Sequence, residues 1–278
     1  MNIKTGLRYA LWNIKSSITD KRVIAGYILG IFSILKQSIN FRMYTGNHTI
    51  NVAECFLVSS RQTGLYIIGA ILILSDAPFV NSGSFMMIHR VKRKTWYNSS
   101  WLYMFMHMFM YYSVLVVVSI IPFATKAYPE NKWSLTALWM KGGMSEKMAE
   151  YRISPLSENI FEYSPLVALL ICFGLITLYS MVYISLMFSL NLFLGKRMVG
   201  TFAAGSLVII TEFIHKAIES PSKWVYKLSL YRNYFFVGNY DPERITVSYS
   251  FCYLALIVFL CYMIGEYILP HSEFILEY

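Results

Sequence analysis

Residues 75–96 read SDAPFVNSGSFMMIHRVKRKTW. An apolar run stops at Asp76 and Pro78. Two methionines follow, and Arg90, Lys92, Arg93 and Lys94 then place four cations within five positions. Trp96 and a second apolar run come next. Positive charge knotted between two segments that leave water suits a loop at a membrane surface better than a soluble domain.

Composition agrees. Of the 278 residues, 56% are hydrophobic and 14% charged, whereas soluble domains carry about 25% charged residues. The expected fold is an all-α integral membrane protein, with one transmembrane domain over 1–278. The formal charge of +9 does not argue for nucleic acid, because the cations lie between apolar runs. The four cysteines form no C-x-x-C pair and the five histidines no His-x-x-x-His pair. No metal site is expected from them. His107 lies among Met104, Met106, Met108 and Met110, whose spacing of two scatters them around a helix, so packing is the expectation there. The first 22 residues lack the apolar core of a signal peptide.

Crossing a bilayer takes roughly 20 apolar residues. Six spans are expected, at 23–41, 63–79, 101–123, 165–193, 198–214 and 247–269. Arg61 interrupts the apolar patch before the second, and the fourth reads as one tilted or broken helix. Ahead of them, 1–22 reads as an amphipathic helix. Ile3, Leu7, Leu11, Ile14 and Ile18 share a face, with Lys4, Arg8 and Lys15 off it, a pattern that lies in the membrane interface. Acid-free basic loops at 80–100 and Lys196-Arg197 put both termini in the cytosol. The loops 124–162 and 216–244 then face outward. The aromatic residues of 216–244 suit the outer interface.

A hairpin needs only a few residues, yet 81–100 offers twenty. Ser84 can cap a short helix running through Arg93 or beyond. Its methionines suit irregular pockets and its arginines anchor contacts, so it fits a cytosolic partner. The same charge also suits topology and lipid headgroups. Gly26-x-x-x-Gly30 and the cluster Gly200, Ala204, Gly205 allow close helix approach, within one chain or between two. Glu212 and Glu266 are the carboxylates nearest the spans and could line a pathway or sit solvated at span ends.

Six spans, an amphipathic amino-terminal helix and a helical loop after the second span resemble the permease subunit of an ABC-2-type transporter. Locally, SDAPF followed by HRVKRKTWYNSSWLY is similar to the segment after the second span in small permeases of Gram-positive bacteria. The resemblance implies a coupling helix between spans two and three, made by Phe85, Met86, Ile88, His89, Arg90, Lys92, Arg93 and Trp96, docked on a separate ATP-binding subunit. Asp76 and Pro78 would end the second span. Two permease halves, identical or homologous, would meet along their first and fifth spans, through Gly26, Gly30, Gly200, Ala204 and Gly205. No G-x-x-x-x-G-K-[ST] phosphate loop occurs in the chain. The chain is therefore expected to be no enzyme and to hold no cofactor. ATP and Mg would be bound by two partner subunits, in a bacterial plasma membrane. The outer aromatic loops point to export of an amphiphilic peptide, lipid or drug, including an antimicrobial peptide. Two other readings fit a chain of this kind: a membrane enzyme acting on a lipid-linked substrate, and a motor-free sensor or assembly protein.

Overall fold

The computed structural model describes residues 3–61, 64–78, 92–141, 144–195, 198–217, 223–239, 241 and 245–270. The fold is mostly helical. In chain order the helices are α1 (Ile3–Ser17), α2 (Lys21–Thr45), α3 (Val52–Ser59), α4 (Gly64–Ile73), α5 (Arg93–Ile120), α6 (Leu135–Trp139) and α7 (Glu146–Glu150). Then come α8 (Pro165–Leu194), α9 (Val199–Ala217), α10 (Lys223–Leu228), α11 (Leu230–Tyr234), α12 (Phe236–Asn239) and α13 (Val247–Ile268). Two short strands, β1 (Ile50–Asn51) and β2 (Ala127–Tyr128), pair in parallel.

Four helices are long and apolar enough to cross a membrane: α2, α5 with its 3-10 extension to Phe123, α8 and α13. Counting α3 and α4 as one bent crossing makes five. Local chemistry sets their ends. Asp20 caps α2, accepting from the Arg22 amide at 2.9 Å. Pro165 opens α8, and Gly195 ends it in the left-handed conformation at φ 62°. α8 is the hub: 56% of its most apolar stretch is buried, against 17% for α13, so α8 is central and α13 peripheral. α9 and α13 both pack on α8, as does α3.

Two expectations change and two others sharpen. The span over 63–79 is not one straight helix. α4 has only ten residues, about 15 Å at 1.5 Å each, half of a bilayer core. α3 precedes it with an axis 91° away. A capping box between Asn51 and Glu54 starts α3, and Ser134, 80 residues on, donates to the same Glu54. The third span begins earlier than residue 101, because α5 runs unbroken from Arg93 for 28 residues. The fourth span is one continuous helix of 30 residues. The fifth is less clear-cut, since the apolar stretch of α9, Val199–Ile214, is shorter than the four long helices.

The amino-terminal helix packs on α5 through Tyr9, Ala10, Asn13, Ile14 and Ser17, all buried. Leu7, Leu11 and Ile18 stay exposed, next to exposed Arg8 and Lys15. The apolar stripe read from the sequence is therefore divided, with Ile14 turned inward and Leu7, Leu11 and Ile18 left open; the Ile3 side chain lies outside what is described.

The segment after α9 also differs from a surface loop. α11 packs against α8, α9 and α13. Tyr231, Asn233, Tyr234 and Phe236 are buried, and Tyr234 stacks on Tyr179 of α8 with centroids 3.9 Å apart. Around this contact the interior is rich in tyrosine. Tyr183 donates to the Tyr179 hydroxyl at 2.8 Å, Tyr111 to the Tyr66 carbonyl at 2.8 Å and Tyr66 to the Ser60 carbonyl at 2.8 Å. Each of these hydroxyls finds a partner, which keeps burial of a polar tip tolerable.

Candidate functional site

The turn Leu74–Pro78 closes α4 and leads into the basic stretch. Phe85, Met86, Ile88, His89 and Arg90 lie outside the described residues. What is described is how both flanks of that stretch are fastened.

On the first flank, three separate elements grip the turn. Arg22, in the first turn of α2, pairs with Asp76 and also with Asp20 at 3.1 Å. The Asn191 side chain of α8 donates to the Ala77 carbonyl at 2.9 Å and accepts from the Gly200 amide of α9 at 2.9 Å. Thr201 of α9 donates to the Ser75 carbonyl at 3.1 Å. Thus Asp76 sits at the helix end as its sequence position suggests, and it is also a tie to α2. Pro78 is buried at the end of the turn. Partial burial pushes the Asp20 carboxyl up, but the Arg22 amide and guanidinium outweigh it and hold the group below its ordinary 3.8.

On the second flank α5 begins with three cations, Lys92, Arg93 and Lys94, all exposed, and no acid in its first turn. Cations at a helix N-terminus oppose the helix dipole. The missing anion comes from α13: Glu266 accepts from Lys94 at 2.5 Å. Arg93 donates to the Pro270 carbonyl at 3.2 Å, and Tyr97 to the Tyr262 carbonyl at 2.6 Å. Glu266 is thereby placed in an ion pair at a helix end. Trp96 is only 2% exposed, buried in the first turns of α5, so of the three described coupling residues only Lys92 and Arg93 present an open surface. The boundary moves accordingly: Arg93–Trp96 belong to α5 rather than to a separate short helix.

Compared with known families, with curated proteins and with solved structures, the chain shows no match.

The small residues read as packing positions are largely used within the chain. A methyl group on Gly26 would lie 2.6 Å from the Gly69 carbonyl oxygen of α4, so the two backbones touch there. Gly30 lies against the Tyr111 hydroxyl, Gly200 against Met187 and Asn191, and Ala204 is fully buried. Gly205 alone of the five faces open space. Glu212 lies beside Gly64, its carboxylate 3.4 Å from where a methyl group on that glycine would sit. His107 is buried between Tyr27 and Tyr103, with ring centroids at 6.0 and 5.5 Å, in keeping with packing. No cluster of metal-ligating side chains occurs among the described residues.

Asn191 and Thr201 do not stand out in the sequence pattern. Asn191 carries one signal: it is the sole amide in the uncharged run 163–195. Such a group needs partners when buried.

Proposed function

We propose that this chain is the membrane-spanning subunit of an ATP-driven ABC-2-type transporter that exports an amphiphilic substrate such as a peptide, lipid or drug. In this reading α2, the α3–α4 pair, α5, α8, α9 and α13 make six crossings of a bacterial plasma membrane, with both termini in the cytosol. α1 lies in the interface, its open stripe toward lipid and its cations toward anionic headgroups. The basic segment up to Lys92 docks on one of two ATP-binding subunits, which hold ATP and Mg. A second permease half completes the path.

One observation carries the reading: the two flanks of the basic segment are tied to different helices. Asp76, Ala77 and Ser75 on one flank hold α2, α8 and α9. Arg93 and Lys94 on the other hold the end of α13. A partner that moves the segment therefore has a direct mechanical connection to most of the long helices. The segment's charge and its methionines suit a protein groove.

The test is a triple variant, Phe85→Ala with Arg90→Ala and Arg93→Ala, purified in mild detergent. The expected result is loss of a copurifying ATPase and of transport, with membrane insertion intact. Unchanged copurification and unchanged transport would overturn the reading.

A further inference from the structure

Arg61 lies two residues past the end of α3. Ser59, two residues earlier, meets Ser38 of α2 at 2.7 Å, well along that helix from its start at Lys21. The guanidinium is thus far from the charged end of the bundle. Its Nε and Nη1 are shut away from water and meet no hydrogen-bond acceptor. The three ion pairs among the described residues involve Asp20, Arg22, Asp76, Lys94 and Glu266, never Arg61. Glu212, the acid beside Gly64, makes no ion pair with Arg61 among the described residues.

One contact offsets the charge. The guanidinium lies over the Phe235 ring, 5.5 Å from its centroid. Such a contact is weaker than the hydrogen bonds the two nitrogens forgo. A charged side chain away from water is costly without a partner. The imbalance calls for an acceptor from outside the chain. Arg61 as a whole is only partly buried, and Nη2 is not among its enclosed nitrogens, so an incoming group would meet that nitrogen first. The neighbouring walls are aromatic, from Phe235 and Tyr231, and their rings suit an apolar tail.

We propose that Arg61 is the docking point for the anionic head group of an amphiphile, a carboxylate or phosphate, beside Phe235. Arginine makes charge-assisted hydrogen bonds with both groups. The site follows from the surroundings of the guanidinium and stands whether or not the chain serves a transporter.

The probe is dodecyl phosphate carrying a diazirine next to its head group, added to the purified full chain in neutral detergent. The expected label falls on peptides covering 52–78 or 223–239, and Arg61→Met reduces labelling at least tenfold. Arg61→Lys retains an intermediate signal. Arg42→Gln, which removes a partly buried arginine elsewhere, leaves it unchanged. Phosphatidylglycerol competes and phosphatidylcholine does not, which assigns the site to anionic head groups. Competition by inorganic phosphate at the same concentration would overturn the amphiphile assignment. So would labelling confined to 79–100, or an equal thermal shift of the wild-type chain by dodecyl phosphate and by dodecyltrimethylammonium. The labelling map and the thermal shift use wild-type protein, so they decide even if Arg61→Met fails to fold.

Discussion

The side-chain amide of Asn191 donates to the carbonyl of Ala77 across 114 residues of sequence, at 2.9 Å. With its oxygen accepting from Gly200, the same amide joins α8, the turn after α4 and the start of α9. Asn191→Leu leaves two buried backbone groups without this partner, at about 1–3 kcal/mol for each. Thr201→Val removes a single bond to the same turn, at about 0.5–1.5 kcal/mol. Thermal unfolding in detergent should rank Asn191→Leu clearly below Thr201→Val. The reverse order would mean that the amide does not hold the turn.

Arg22 and Asp76 predict a charge-exchange result. Their side chains are 38% and 12% exposed, so solvent screens the pair in part. Asp76→Asn should lower stability by about 1 kcal/mol. The double exchange Arg22→Asp with Asp76→Arg should recover part of that loss. Because the exchange also sets a new carboxylate close to Asp20, neutralising Asp20 should improve the recovery. A double variant no better than the sum of its singles would disprove direct pairing.

The pH dependence of the same corner has a definite sign. The folded form of Asp20 holds its carboxyl below the ordinary 3.8. Its contribution is therefore complete above about pH 3.8 and fades as pH falls through the lower folded value. Stability measured from pH 7 to 5 should not respond to this group. Acidification below about pH 4 should release it, and Asp20→Asn should flatten that part of the profile. An Asp20-dependent change between pH 5 and 7 would contradict the assignment.

Two glycines should respond oppositely to alanine. Gly26→Ala forces α2 and α4 apart and should cost about 1–3 kcal/mol. Gly205→Ala enters open space and should be neutral or stabilising by up to about 1 kcal/mol through helix propensity. Melting temperatures of the two purified variants give the comparison. If Gly205→Ala instead abolishes self-association, Gly205 is a contact between copies.

Glu54 is fully buried and accepts from the Ser134 amide at 2.7 Å, the Ser134 hydroxyl at 2.6 Å and the Asn51 amide at 3.4 Å. Glu54→Ala should cost about 1.5–3 kcal/mol and speed proteolysis within 124–162. Glu54→Gln, which keeps an acceptor, should lose less. Equal cleavage rates for all three proteins would sink this role.

The helices that could be read from sequence were those whose ends and burial are set locally. α2 and α13 have capping residues, α8 has Pro165 and Gly195, and α5 is apolar beyond its cationic start. α3 and α4 could not be separated by composition, since both are apolar. Their directions diverge through Asn51 and Glu54, and the partner Ser134 lies 80 residues away. The same distance problem hid the site. Asp76 was legible as a helix end, but its tie to Arg22 spans 54 residues. The resemblance placed Trp96 in the coupling helix. It is buried because α5 extends back to Arg93 and turns that ring into the bundle.

The parallel pairing of Ile50 with Ala127, together with the bonds from Asn51 to Lys132 and from Ser134 to Glu54, fastens the segment after α5 to the beginning of α3. That segment is consequently a handle. A nanobody that clasps residues 127–135, though too large to enter lipid, would brace a helix it never touches.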